Sequence, residues 1–494
     1  MKVVVFFFTL LTTAHANKPN ILWIFSEDLS PYFGCYDCPI NTGHTETIDQ
    51  LAKDGVLFTR TYVPAPVCSA CRSALITGLY QTSTGTHQHR SSRFTDGEVV
   101  PEDLRIHLPE DITPLPQLLK DAGYFTFNNG KDDYNFHYNR HHLYSTGTEE
   151  NYQPGMNGWQ GNKAIDFRNL NSHSWDSRPD KSQPWFGQIT IWGGKANSKW
   201  VPKNERLADN DVPLPPYFPD VPAHRQSWTQ HYNAARGASH RIQQILDKLE
   251  QDGEFDNTII FFFSDHGNNQ SLRHKQFCYE GGVHVPLIIR GNHPAIKADT
   301  IRKHLTNALD IPATTLALAG LDIPDYYFGQ NLLAPDYQPA DYVVSARDRC
   351  DYTIDRIRTV RTDEFRYIRN DFPERAMLQA QYRDDRPVVL TLKEEKEAGR
   401  LTEDQATHWF GPRPREEFYH LEKDPYQINN LATDPAFYDL LTQHRQILHQ
   451  WQIETGDQGM QAEDPRQLKA TFDLWKDLPI FSEAAVNPEY DQFR

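Results

Sequence analysis

The run Cys68-Ser69-Ala70-Cys71-Arg72 sets two thiols three residues apart beside a guanidinium, and two apolar stretches elsewhere end in acidic stations, Ser26-Glu27-Asp28 and Ser264-Asp265-His266. Two such cysteines bind a metal, exchange disulfides or conceal a nucleophile that one of them supplies. The spacing weakens the first two options. Residues 39–67 separate Cys35-Tyr36-Asp37-Cys38 from the second pair, longer than the ~15–20 residues between paired zinc knuckles. A thioredoxin-like site would stand at the head of a small βαβ domain, which is not the setting of Cys68. Cys35 and Cys38 read as a local bridge or as free thiols.

Strands must position the acids. Asn20–Phe25 and Asn257–Phe263 are near-continuous apolar runs of strand length, which suits a parallel sheet covered by helices on both faces. Open sheets of this kind collect ligands at the carboxyl ends of their strands, so the two stations converge there. Adjacent carboxylates repel unless a cation sits between them. The ion implied is hard and oxygen-loving, Ca²⁺ first and Mg²⁺ second. Read singly, each station is also an ordinary strand-end turn or helix cap.

The chain has 494 residues, 38% of them hydrophobic, enough for one large core and a smaller one. A formal charge of −16 argues against nucleic acid as the main partner, and an anionic substrate then requires a local basic pocket. Residues 1–16 read as a signal peptide: Lys2, the apolar run Val3–Leu11, then Ala14-His15-Ala16 as a cleavage site. No later segment reads as a membrane span, so the expected product is exported, periplasmic or secreted.

Cys68 to Arg72, followed by Ser73–Tyr80 (SALITGLY), resembles the signature of the type I sulfatase family, C-x-(P or A)-x-R and then an LxTG helix start. The resemblance extends from about Asn20 to about Trp451. It implies an alkaline-phosphatase-like α/β fold: a mostly parallel central sheet flanked by helices, residues 17–340, and a smaller C-terminal α+β subdomain with an antiparallel sheet, residues 341–494. It also implies that Cys68 is oxidised to formylglycine by a maturation enzyme, that Arg72 supports it, and that Glu27, Asp28, Asp265 and His266 hold calcium beside it. Glu27 departs from the usual Asp. Lys131 and Lys275 correspond to sulfate-binding lysines, and Glu280-Gly281-Gly282 to the turn entering the strand Val285–Ile289.

Three departures stand out. Asp133 replaces a histidine, which makes His87 in Thr84–Ser92 the candidate proton acceptor, although His87 and His89 equally read as plain loop residues. Lys195 stands near the place of a leaving-group histidine, and a desolvated lysine with a lowered pKa can act as an acid. His284 replaces an arginine and reads as structural. Arg347 and Arg349 are candidate contacts to further anionic groups of the substrate, or members of a salt-bridged strand face. The expected activity is hydrolysis of sulfate esters on a carbohydrate, with algal polysaccharides such as carrageenan or ulvan favoured. The alternatives are a phosphodiesterase or phosphonate hydrolase of the same fold, or a sulfated-glycan-binding protein that has lost catalysis.

Overall fold

The computed structural model describes residues 18–91, 102–146, 174–196, 198–209, 211–477 and 487–493; the expected signal peptide lies outside them. Eight strands form the larger sheet: β1 Asn20–Ser26, β2 Gly55–Tyr62, β3 Phe125–Asn129, β4 Trp185–Ile191, β5 Thr258–Ser264, β6 His284–Arg290, β7 Thr300–Arg302 and β8 Thr306–Asn307. Their order is β3-β4-β1-β5-β6-β2-β7, with β8 also on β2. β1 pairs in parallel with β4 and β5, and β6 runs antiparallel to both β5 and β2. Consequently β1 to β5 all point the same way, and their carboxyl ends share one edge.

The alternation along β1 explains its unbroken apolar sequence. Ile21, Trp23 and Phe25 face a layer that includes Ala70, Leu75 and Ile76 of the Cys68–Thr77 helix and Ile311 and Leu316 of the Asp310–Leu318 helix. Leu22 and Ile24 face the long Pro222–Gln251 helix through Ala234, Ala238, Ile242 and Ile245. With helices on both faces, neither side of the strand has a solvent position for a polar residue.

A second, antiparallel sheet follows in the order β12-β11-β10-β9, built from β9 Val343–Arg347, β10 Ile357–Arg361, β11 Phe365–Asn370 and β12 Glu416–His420. It is sewn to the first: the Ala346 N–H donates to the Pro64 carbonyl at 2.8 Å and the Ser345 hydroxyl to the Val63 carbonyl at 2.7 Å. Ala74 and Tyr80 share a core with Val344, Val360 and Tyr367. The smaller sheet therefore braces the segment that carries Cys68. Among the described residues no helix is long and apolar enough to cross a membrane.

Candidate active site

The helix Cys68–Thr77 begins at Cys68, after extended Val67, and ends at Gly78 in the left-handed conformation (φ 71°). LITG therefore closes the helix rather than starting it, the opposite of the expectation, because glycine at this cap takes a positive φ that other residues resist. Cys68 sits in the first turn, where the unpaired N–H groups favour an anion. Arg72 follows four residues on and so lies on the same face. Cys71 points into the apolar core with Leu75 and Ile76, which removes it from any shared metal site. All six cysteines are free.

The strand ends meet at Cys68. Asp28 Oδ1 lies 3.7 Å from its Sγ, His266 Nε2 at 3.1 Å and Lys275 Nζ at 3.4 Å. His266 Nε2 is also 3.0 Å from Asp28 Oδ1, while its Nδ1–H donates to the Gly267 carbonyl at 2.8 Å. Arg72 Nε donates to Asp265 Oδ2 at 3.0 Å and its second arm to the Lys131 carbonyl at 2.9 Å. Two glycines permit this convergence. A Cβ on Gly194 would overlap the Asp28 carbonyl, and one on Gly267 the Gly281 carbonyl.

One donor atom each from Asp28, Cys68, Asp265 and His266 lie within 4.8 Å of one another, all buried. The chemistry of this set fits a divalent cation. Each carboxylate is steadied from outside, Asp28 by Lys275 on both oxygens and Asp265 by Arg72 on one, and the Nδ1 bond leaves Nε2 aimed inward. Burial opposes a charged His266 ring, yet Asp265, Cys68 and Asp28 push its pKa up to about 10. Glu27 is a correction to the expected ligand set: Lys131 and Lys195 draw its carboxylate away, at 2.6 and 2.8 Å, and it stands outside the four. Burial would raise its pKa, but Lys131 and Lys195 hold it down at about 2.

The Cys68 thiol is pushed up by burial and, more strongly, down by Lys131, Lys275 and His266, so that it falls well below the ordinary thiol range. The surroundings of this atom thus favour a negative charge. Lys195 differs from the lysine acid that the sequence suggested. Burial favours its neutral form, but Asp28 and Glu27 raise its pKa overall, and it stays an ammonium.

A cleft of about 840 Å³ opens beside this cluster. Arg90, Lys195, Lys275 and Arg386 supply its positive charge, and Asp351 is the one carboxylate among its lining residues. The net-negative chain therefore carries the local basic pocket that an anionic substrate requires. Tyr382 and Trp475 add aromatic surface to the same cleft.

Three sequence candidates are not brought here. Arg347 is buried against Asp355 at 3.1 Å and Gln379 at 2.9 Å, and Arg349 against Glu463 at 2.6 Å, so both serve the fold of the C-terminal region instead of the cleft. His87 is buried near Asp348, Arg358 and Asp457, where burial lowers its pKa, and it does not line the cleft. His284 bonds the Thr59 carbonyl at 2.9 Å and stacks on Tyr62, a structural role as read. Conversely, Asp351, Arg386 and Trp475 line the cleft without any signal in the sequence, since long-range packing alone brings them there.

A family model described as Sulfatase matches residues 19–321, and the chain belongs to that family. It is a sulfuric ester hydrolase by that membership and by its relatives. An ulvan-active sulfatase of Formosa agariphila is 29% identical over 481 residues, covering 89% of this chain and 76% of that one. The fold resembles that of a 2-O GAG sulfatase (TM-score 0.63, 19% identity, 91% of this chain and 96% of that one). It also resembles a phosphonate monoester hydrolase from Silicibacter pomeroyi (TM-score 0.59, 16% identity, 90% and 96%). Fold alone accommodates both chemistries, and the sequence match is what separates them.

Proposed function

We propose that the protein is an exported sulfatase that removes sulfate esters from an algal polysaccharide of the ulvan type, with Cys68, as formylglycine, supplying the nucleophile. The observation that carries this reading is the Cys68 cluster: a buried position at a helix N-terminus, faced by Lys131, Lys275 and His266, at the edge of a cationic cleft. Asp28, Asp265 and His266 would hold a calcium ion there with the residue-68 oxygen. Such an ion polarises sulfate oxygens and favours an ionised nucleophile. Lys131 and Lys275 supply fixed positive charge for the sulfate oxygens, and Arg72 keeps Asp265 in place.

The ulvan assignment draws on the Formosa relative and on the aromatic and cationic lining of the cleft, which suits an anionic sugar. The test is sulfate released from ulvan oligosaccharides, measured by ion chromatography, for the wild type and Cys68→Ala. Release that depends on Cys68 supports the reading, and undiminished release by the variant sinks it. Parallel assays with an aryl phosphonate monoester address the rival activity, which a higher kcat/KM than for the matched aryl sulfate would favour.

A further inference from the structure

The lysines and His266 around Cys68 are already engaged by carboxylates, which leaves open which group protonates the departing sugar oxygen. We infer that His89 supplies that proton, with Asp351 orienting its ring. The inference rests on residue 68 providing the nucleophile.

His89 lines the cleft, and one of its ring nitrogens lies within 4.8 Å of both Cys68 Sγ and an Asp133 carboxylate oxygen. Its Nδ1 is 3.2 Å from Asp351 Oδ1. Its backbone N–H donates to the Arg349 carbonyl at 2.9 Å, which fixes the loop against the second sheet. Both ring nitrogens are buried and neither makes a hydrogen bond among the described residues, so the contact of Nδ1 with Asp351 is one of charge and proximity. With Nδ1 facing Asp351, Nε2 is the nitrogen left for a substrate, the arrangement by which a carboxylate orients a histidine for proton transfer.

The neighbouring cations are committed elsewhere. Lys131 lies between Glu27 and Asp133, Lys275 on both oxygens of Asp28, and Lys195 on Glu27. His266 has one nitrogen on a carbonyl and the other in the metal-type set. Backbone strain marks the same place. Asp28, Arg90, Asp133, Gln276 and Asp351 hold positive φ values between 50° and 75°. Non-glycine residues resist this region, and such strain gathers at functional sites. Arg90 bonds Asp133 at 3.1 and 3.2 Å and also stands 3.6 Å from Asp351 Oδ1, which ties both carboxylates beside His89 to one guanidinium.

The step balances as follows. The residue-68 hydroxyl gives its proton to solvent and its oxygen bonds to sulfur, while the bond from sulfur to the sugar oxygen breaks and the electron pair of that bond stays on the sugar oxygen. The proton of the His89 Nε2–H moves to it, and the ring becomes neutral until water consumed in the hydrolysis returns a proton.

Removing such an acid harms poor leaving groups far more than good ones. The test compares kcat/KM of wild type, His89→Gln and Asp351→Asn on 4-nitrophenyl sulfate, phenyl sulfate and ulvan oligosaccharides. His89→Gln is expected to lose about a hundredfold or more on the oligosaccharides and phenyl sulfate, but less than about tenfold on 4-nitrophenyl sulfate, whose phenolate leaves unaided. Asp351→Asn follows the same order with smaller losses, and it carries the test should His89→Gln fail to fold. Equal losses on all three esters, or none, overturn the inference while leaving the nucleophile reading intact. Wild-type turnover by Cys68→Ala overturns the nucleophile reading instead, and this inference with it.

Discussion

Replacing Lys275 by Met leaves the buried Asp28 carboxylate facing a methyl group. In the native protein Lys275 Nζ lies 3.0 and 3.1 Å from the two Asp28 oxygens, and the lysine is 3% exposed. At an effective dielectric of about 20, a pair at ~3 Å interacts by roughly 5 kcal/mol, in line with the ~3–5 kcal/mol lost when one partner of a buried pair is removed. For a chain of this size, unfolding entropy of ~2 cal/mol/K per residue makes that loss a fall in Tm of roughly 3–5 °C. A calcium ion among Asp28, Asp265 and His266, as proposed, would meet the same charge from the other side. The fall is therefore expected in full with a chelator present and at less than about half with saturating calcium. Scanning fluorimetry of both proteins under both conditions reads the difference. An identical fall in both conditions would refute the metal set, and no fall in either would refute the buried ion pair.

The remaining predictions concern other parts of the chain. Burial raises the Asp310 pKa to about 7 against the hydrogen bonds from Gln330 N–H and Tyr337 O–H. Because the folded value lies above the unfolded one, the stability linked to this proton is complete below about pH 4 and fades as pH rises through 7; by linkage it amounts to at most about 4 kcal/mol. Asp310→Asn is expected to remove that component from urea-denaturation curves measured across this range. Arg347→Ala is expected to cost roughly 3 kcal/mol of stability in urea titrations by breaking the buried Asp355 pair, with KM unchanged. Arg386→Ala, from the cleft, is expected to raise KM about tenfold through a lost charged contact and to leave kcat and Tm nearly unchanged.

What could be read ahead of the structure followed from local pattern. β1 and β5 announced themselves because strands covered on both faces have only apolar positions, and the acids that follow them inherit their place from the sheet edge. Lys131 and Lys275 were found through motif neighbours. Glu27 and Asp28 were not distinguishable as neighbours in a line: Asp28 turns inward through a positive φ of 57°, while Lys131 and Lys195, from the segments that follow β3 and β4, claim Glu27. His87 and His89 differ by two residues in one loop, and a hydrogen bond to Arg349, 260 residues away, decides which reaches the cleft. Arg347 and Arg349 carried the right charge at the wrong place, since Asp355 and Glu463 capture them within their own region. Long-range pairing of this kind leaves no mark in local spacing.

The most direct measurement is the mass of the tryptic peptide Thr61–Arg72, taken from protein made together with a formylglycine-generating enzyme and assayed for sulfate release in the same preparation. An aldehyde in place of the Cys68 thiol, in proportion to activity across preparations, is the predicted result. Full sulfatase activity in protein whose Cys68 remains a thiol would contradict it.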